Sequence, residues 1–104
     1  MVANILLAFA SVGAEGFFGW RPNPVSGQAT LDFVLPHVAS VAIDVYDVIG
    51  RRVREVAFGS FAAGPHTTTW DLRGDGGQRV AGGVYFLRLA TEGRVLSHSL
   101  IVQP

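Results

Sequence analysis

The stretch that decides the fold is VYDVIGRRV at residues 45–53. It continues an alternation of apolar and polar residues over 40–47, which is the period of a β-strand with one buried face. Asp47 and Gly50 bracket the connection that follows, and they suit the first position of a type I turn and a closing left-handed residue. Because a second apolar-rich run starts at residue 51, the sequence predicts a β-hairpin here.

The chain downstream of residue 17 repeats this pattern of strand and turn. Runs typical of strands cover 29–35, 40–47, 51–58, 66–72, 84–91 and 94–102. The run 51–58 breaks the period of two, because its apolar Val53 and Val56 are three apart, and we expect a β-bulge there. Gly64 and Gly93 mark further tight turns. No stretch has a long helical period, so residues 17–104 are predicted to form an all-β, antiparallel, immunoglobulin-like sandwich of about seven strands.

The apolar faces of these strands, with one tryptophan, define the expected core. The predicted core residues are Leu31, Phe33, Val41, Ile43, Val45, Trp70, Tyr85, Leu87 and Leu89. Val84, Phe86 and Arg88 alternate with the last three and are expected to face outward. Together with Tyr46, they indicate an apolar outer surface. Because exposed aromatic side chains can mark a subunit contact, Tyr46 and Phe86 are predicted interface residues.

Composition excludes several functional classes. Of the 104 residues, 49% are hydrophobic and 15% charged, so disorder is not expected. The formal net charge is zero, which gives no general attraction to nucleic acid or to anionic membranes. The chain has no cysteine, which excludes disulfides, thiolate metal sites and a cysteine nucleophile.

Residues 1–16 form an apolar N-terminal extension that differs from the rest. Its large side chains fall on both faces of any strand drawn through it: Ile5, Leu6, Leu7, Phe9 and Val12. Burying each one stabilises a structure by roughly 1.5–3 kcal/mol, so the segment is expected to be hidden, inserted or removed. We therefore predict that these five residues form an interface.

Three interpretations of the extension compete. The apolar run is too short for a membrane span, which needs about 20 residues. A signal peptide is compatible with the small residues Val12-Gly13-Ala14, but the positive region that should precede the apolar run is absent. The third interpretation is a strand that docks into its own sandwich or into a neighbouring copy by strand addition.

Five phrases occur in an order and spacing that resemble a known family. They are Pro22-Asn23-Pro24, VYDVIGRRV at 45–53, Ala63-Gly64-Pro65-His66, Trp70-Asp71 and GVYFLRL at 83–89. Residues 21–102 resemble the immunoglobulin-like domain shared by the flagellar hook-capping protein and the C-terminal sorting domains of type IX secretion cargo. The resemblance implies a sandwich without catalytic machinery. It also implies either a filament-assembly scaffold or a module recognised by an outer-membrane secretion apparatus. The sorting branch usually has a basic residue in its last strand, where this chain has Ser97-His98-Ser99.

Candidate chemical groups are sparse. Arg73-Gly74-Asp75 spells an integrin-binding tripeptide, but a tripeptide without context is a weak signal. Asp71 and Asp75 are too few carboxylates for a calcium site. The isolated His37, His66 and His98 have no second metal ligand nearby in sequence, and no serine lies in a G-x-S-x-G turn. We predict no catalytic residue, metal or cofactor.

The arginines at 51, 52 and 54 favour a charged strand edge that discourages wrong pairing over a nucleic-acid site.

The sequence therefore predicts a non-catalytic structural protein, extracellular or on the cell surface. In the favoured hypothesis it polymerises, and the 1–16 segment of one copy completes the sandwich of the next. In the alternative it is a C-terminal secretion-sorting or adhesion module of a larger exported protein. The expected partner is a second copy of the chain, with secretion machinery as the other candidate. Nucleic acid and a membrane span are not expected.

Overall fold

A computed structural model describes residues 18–21 and 25–104 of the chain, with side-chain positions for 25–104. These residues form seven strands and no helix. The strands are β1 (Phe18–Arg21), β2 (Ala29–Leu35), β3 (Ala39–Tyr46), β4 (Arg52–Phe61), β5 (Gly64–Trp70), β6 (Gly83–Thr91) and β7 (Arg94–Val102). In the described part of the chain, no helix is long or apolar enough to cross a membrane.

The strands form two antiparallel sheets that pack face to face. The smaller sheet has the order β1-β2-β5, and the larger sheet has the order β4-β3-β6-β7. The fourth strand therefore pairs with the third, and the chain crosses to the other sheet between Phe61 and Gly64. The predicted all-β, immunoglobulin-like sandwich of about seven strands is confirmed.

The core lies between the two sheets, where alternating side chains of both sheets meet. All nine predicted core residues are buried there, together with Val25, Ala29, Leu35, Leu72, Leu100 and Val102. No polar or charged side chain of the described residues is fully buried. Partly buried residues close the margins of this core, among them Phe61, which packs edge-on against Phe33. A core of this kind is stabilised mainly by removing apolar surface from water.

Strand β4 carries two β-bulges in the run for which the sequence predicted one. Ile43 and Asp44 of β3 pair with Ala57 and Glu55, so Val56 is an extra residue in β4. Val45 and Tyr46 pair with Arg54 and Arg52, so Val53 is a second extra residue in β4. The bulges let both valines pack against the core although they are three residues apart.

The predicted hairpin between β3 and β4 is confirmed. The amide of Gly50 donates to the carbonyl of Asp47 at 3.0 Å, and the amide of Asp47 donates to Arg51 at 2.9 Å. Gly50 has a φ of +88°, a conformation that favours glycine. The turn between β6 and β7 consists of Glu92 and Gly93, both with positive φ, as a two-residue hairpin of type I′ requires.

Several predicted strand boundaries were wrong, most clearly at β5. Gly64 was placed in a turn, but it is the first residue of β5, where it pairs with Leu35 at the end of β2. The strand predicted to extend to Leu72 ends at Trp70, because Leu72 adopts a φ of +64° that no β-strand contains. The short strand β1 was not assigned from the sequence.

Candidate functional site

The two sheets differ in the side chains that they present to solvent. The outer face of the smaller sheet carries Thr30, Asp32, Val34, Pro65, Thr67 and Thr69, and Thr67 donates a hydrogen bond to Asp32 at 2.9 Å. The outer face of the larger sheet carries several exposed apolar side chains, namely Phe58, Val84, Phe86, Val95 and Ile101. We refer to this outer face of β4-β3-β6-β7 as the apolar face. Contiguous exposed apolar patches can mark contact surfaces.

The two aromatic residues predicted to form an interface lie side by side on the apolar face. Tyr46 of β3 is paired directly with Phe86 of β6. The guanidinium carbon of Arg88 lies 5.7 Å from the centre of the Tyr46 ring, a cation–π arrangement. With Val48 of the adjacent hairpin, these side chains line a concavity of about 470 Å³.

The opposite end of the apolar face is a shallow groove of about 450 Å³. Its floor is made of two small residues, Ala42 and Ala90, which are cross-strand partners. Phe58, which is 76% exposed, and Val95, which is 50% exposed, stand at its two sides because they pair with these alanines from β4 and β7. Small residues between large ones leave room for an apolar side chain from outside.

A charged row separates the two apolar ends. Asp44 is paired with Glu55 on one side and with Arg88 on the other. The guanidinium of Arg52 lies 3.6 Å from the Asp44 carboxylate, whose side chain is 16% exposed. Burial raises the pKa of Asp44 above its ordinary value of 3.8, with the Arg52 charge opposing the shift.

Strand β4 is an edge strand of the larger sheet, and the loop that follows β5 covers part of its outer edge. The amide of Asp75 donates to the carbonyl of Val53 at 2.9 Å, and the amide of Glu55 donates to the Asp75 carboxylate at 3.1 Å. The guanidinium of Arg54 reaches the same loop, with 3.2 Å to the carbonyl of Arg73. The Arg73-Gly74-Asp75 tripeptide is therefore part of an internal contact.

The arginines after the hairpin turn form ion pairs within the domain. Arg51 pairs with Asp47 at 3.1 Å, and Arg54 pairs with Asp71 at 3.4 Å. Hydrogen bonds from the amides and side chain of the turn lower the pKa of Asp47, the amide of Arg51 contributing most. These contacts fix the hairpin and the neighbouring loop.

Strand β7 forms the other edge of the larger sheet and carries apolar side chains on both faces near its two ends, with the polar run Ser97-His98-Ser99 between them. Leu96, Leu100 and Val102 face the core, while Val95 and Ile101 lie on the apolar face. The end of the strand pairs in parallel with Val25, whose amide donates to Ile101 at 2.8 Å. His98 lies half-buried on the core side, and this burial lowers its pKa below 6.5.

Five predicted interface residues lie outside the described residues: Ile5, Leu6, Leu7, Phe9 and Val12. The structure brings Tyr46 and Phe86 together on the apolar face. The sequence did not predict that Phe58 and Val95 lie on the same face as Tyr46 and Phe86. Their alternation was visible, but the pairing of distant strands that places them beside Ala42 and Ala90 was not.

The described residues contain no cluster of three or more metal-binding side chains. The imidazole of His37 contacts the carboxylate of Glu92 at 2.8 Å, and His66 contacts the carbonyl of Ala62 at 2.7 Å. Asp71 accepts a hydrogen bond from the amide of Arg73 at 3.0 Å, as in an Asx turn. The three side chains thus have structural partners within the domain.

Several solved structures share this fold. A segment of dimeric latent PorU from Porphyromonas gingivalis matches 82% of this chain with a TM-score of 0.69 and 24% identity. A segment of PorZ, a surface component of the type IX secretion system of Porphyromonas gingivalis, matches 84% with a TM-score of 0.57 and 20% identity. The DNA glycosylase AlkC of Pseudomonas fluorescens matches 91% with a TM-score of 0.52 and 16% identity.

This chain spans 9%, 11% and 32% of the length of those three proteins, respectively, so the likeness concerns one domain of each. A comparison with curated proteins found no match. The model of the FlgD Ig-like domain matches residues 22–94, which is more than half of the chain. The match includes the β3–β4 hairpin, the Trp70 strand and all of β6, and it ends at the first residue of β7. The chain belongs to the FlgD Ig-like domain family.

Proposed function

We propose that this protein is a non-catalytic structural module, acting outside the cell or on its surface, whose copies assemble with one another. The apolar segment 1–16 of one copy adds as a strand to the sandwich of the next. The described residues include an exposed apolar surface, and Asp47, Asp71 and Asp75 are engaged in turns, loop contacts or ion pairs.

The observation that carries the proposal is that Val95 and Leu96, at the start of edge strand β7, present apolar side chains on both of its faces. Because Val25 pairs with the end of β7, an added strand would lie beside its first half, with one face toward the core margin near Leu96 and the other beside Val95. Segment 1–16 has large apolar residues on both faces, so it suits an edge that is apolar on both sides. A segment with one polar face would not gain the same burial.

The other long edges of the described sheets suit this segment less well. The edge of β4 carries two bulges and is covered by the loop containing Asp75. The edge strand β5 presents Thr67 and Thr69 on its outer face, so an added apolar strand would bury its outer side chains against hydroxyl groups. At the start of β7, an added apolar strand would instead meet the apolar side chains of Val95 and Leu96.

The geometry of such an exchange determines the shape of the product. Each copy donates its N-terminal segment and accepts another at β7, so donor and acceptor surfaces differ. A contact between two different surfaces repeats from copy to copy, and we expect it not to close into a ring, so that the product is a fibre.

Negative-stain electron microscopy of the full-length chain tests the proposal. Wild-type protein is expected to form fibres, and Leu7→Asp or Phe9→Asp is expected to abolish them, because a buried unpaired carboxylate is too costly for the added strand. Asn4→Asp is the matched control, since it adds the same charge to the same segment at a polar position. Circular dichroism checks that each variant stays folded.

Fibres that persist in both variants would overturn the strand exchange, as would monomers from the wild-type chain. If the aspartate variants instead lower the melting temperature of a monomer, the segment packs onto its own sandwich. Mass spectrometry of exported protein tests the remaining interpretation, because a mass lacking the first residues would identify a cleaved signal peptide.

A second candidate function is a sorting or adhesion module of an exported protein. The supporting observation is the fold likeness to PorZ, described as a surface component of the type IX secretion system. A reporter fused to the N-terminus of this chain, expressed in a bacterium with that system, should then reach the cell surface. Retention of the reporter inside cells would contradict this candidate.

A further inference from the structure

The apolar face is self-complementary when it is read row by row. In the first row Phe58, Ala42, Ala90 and Val95 follow one another across β4, β3, β6 and β7. In the second row the order is Glu55, Asp44, Arg88 and Ser97. In the third row the order is Arg52, Tyr46, Phe86 and Ser99.

We infer that this face binds a second copy of the same chain, about a two-fold axis that runs parallel to the strands between β3 and β6. Two sheets stacked in this way lie about 10 Å apart, as in other face-to-face sheet packings. The inference shares with the proposed function only the premise that copies of this chain are partners, and it uses the face of the larger sheet, which has Val95 in common with the β7 edge.

In every row, the axis places side chains of the two copies over one another without a charge conflict. It places β3 of one copy over β6 of the other, and β4 over β7. Asp44 then lies over Arg88 of the second copy, and Tyr46 lies over Phe86. In the first row Phe58 lies over Val95 and the two alanines face each other. No row sets like charges against each other, because Glu55 and Arg52 lie over serines.

The alternative two-fold axis, perpendicular to the strands and through the charged row, is disfavoured. It would place Asp44 over Asp44 and Arg88 over Arg88 of the second copy. Like charges held opposite each other across an interface repel and disfavour the contact. Charge complementarity therefore selects the parallel axis and a closed pair of copies.

The outer face of the smaller sheet provides the internal comparison. Its threonines and Asp32 form hydrogen bonds to one another or face water, and they offer little apolar area. Thr69 is exposed on that face, as Arg88 is on the apolar face. A charge placed at Thr69 therefore alters the surface charge of the protein without touching the inferred contact.

Sedimentation equilibrium of the full-length chain carrying Leu7→Asp tests this inference without interference from fibres. A dimer is expected in this background. Adding Arg88→Asp or Asp44→Arg should weaken the dimer by about tenfold or more, since each places like charges opposite one another. An equimolar mixture of the two should recover the dimer, because each copy then supplies the opposite charge. Thr69→Asp should leave the dimer unchanged.

Val95→Glu is a second variant, which leaves the ion pair of Asp44 with Arg52 intact. It should also give monomers, because it places a carboxylate against Phe58 of the second copy. A monomeric Leu7→Asp protein would overturn the inference, as would a dimer that survives both Arg88→Asp and Val95→Glu. Folded single variants whose mixture stays monomeric would overturn it as well. Fibres of the wild-type chain that vanish with Leu7→Asp would still support the strand exchange, so the two ideas fail separately.

Discussion

The rings of Trp70 and Tyr85 meet edge to face, with centroids 5.8 Å apart and planes inclined by 69°. Each ring also holds a nearby loop. The indole nitrogen of Trp70 donates to the carbonyl of Arg73 at 2.8 Å, and the hydroxyl of Tyr85 donates to the carbonyl of Ala81 at 2.6 Å. One aromatic pair at the end of the core thus connects both sheets to the loops after β5 and before β6.

Removing the Tyr85 hydroxyl should weaken this connection without a cavity. Tyr85→Phe keeps the ring and loses the bond to Ala81, so we expect the free energy of unfolding to fall by about 0.5–1.5 kcal/mol. Trp70→Ala should cost about 3–5 kcal/mol, because it also leaves a cavity in the core. Urea denaturation monitored by circular dichroism measures both. An unchanged stability for Tyr85→Phe would show that water fully replaces the lost hydroxyl as the donor to the carbonyl of Ala81.

Replacing Leu72 by glycine should destabilise the domain no more than replacing it by alanine. Its side chain is fully buried, but its φ of +64° is one that a side chain disfavours by about 1–2 kcal/mol. Leu72→Ala is expected to cost about 2–5 kcal/mol through lost burial. Leu72→Gly should cost no more, because glycine relieves the backbone strain. A clearly lower melting temperature for the glycine variant would contradict the assignment of strain at this position.

Gly50 and Gly76 form a matched pair for testing turn strain. A Cβ at either position would meet no atom within 4 Å, but only Gly50 has a positive φ. Gly50→Ala should therefore destabilise the domain by about 1–2 kcal/mol, while Gly76→Ala should change stability little. Thermal unfolding of the two variants measures the difference. Equal effects would mean that the β3–β4 hairpin tolerates another turn type.

Burial of His98 should make the domain less stable in mild acid. Because its pKa is lower when folded than the ordinary 6.5, the unfolded chain takes up a proton first as the pH falls. Stability is therefore complete above about pH 6.5 and decreases as the pH falls toward the folded pKa. His98→Leu should reduce this loss between neutral and mildly acidic pH in urea titrations. An identical pH dependence in wild type and variant would exclude His98 as its source.

Local sequence patterns were sufficient for most strands but not for their pairing. Alternation identified β2 and β7 with their exact ends, since Pro36 follows the first and Gly93 precedes the second. Strand β4 continues through Gly59 to Phe61, which the sequence pattern did not indicate, because Phe61 is held by contacts with Phe33 and His66 from the other sheet.

At the candidate site too, local patterns predicted which way side chains face but not which strands lie side by side. The sequence identified Tyr46 and Phe86 as outward-facing, because alternation assigns each residue to a face. It could not place them side by side, since that requires the register between β3 and β6. The groove between Phe58 and Val95 depends on three such pairings at once, and so it emerged only from the folded structure.

The parallel pairing of Val25 with Val102 has a mechanical consequence. Val25 accepts from the amide of Gln103 at 2.7 Å, and the guanidinium of Arg79 bridges the carbonyls of Ser26 and Gln103 at 3.0 and 3.2 Å. The two segments run side by side in the same direction. A pulling force applied toward the N-terminus at residue 25 and toward the C-terminus at residue 103 would shear these bonds together and could not unzip them one at a time. A module joined this way can carry tension.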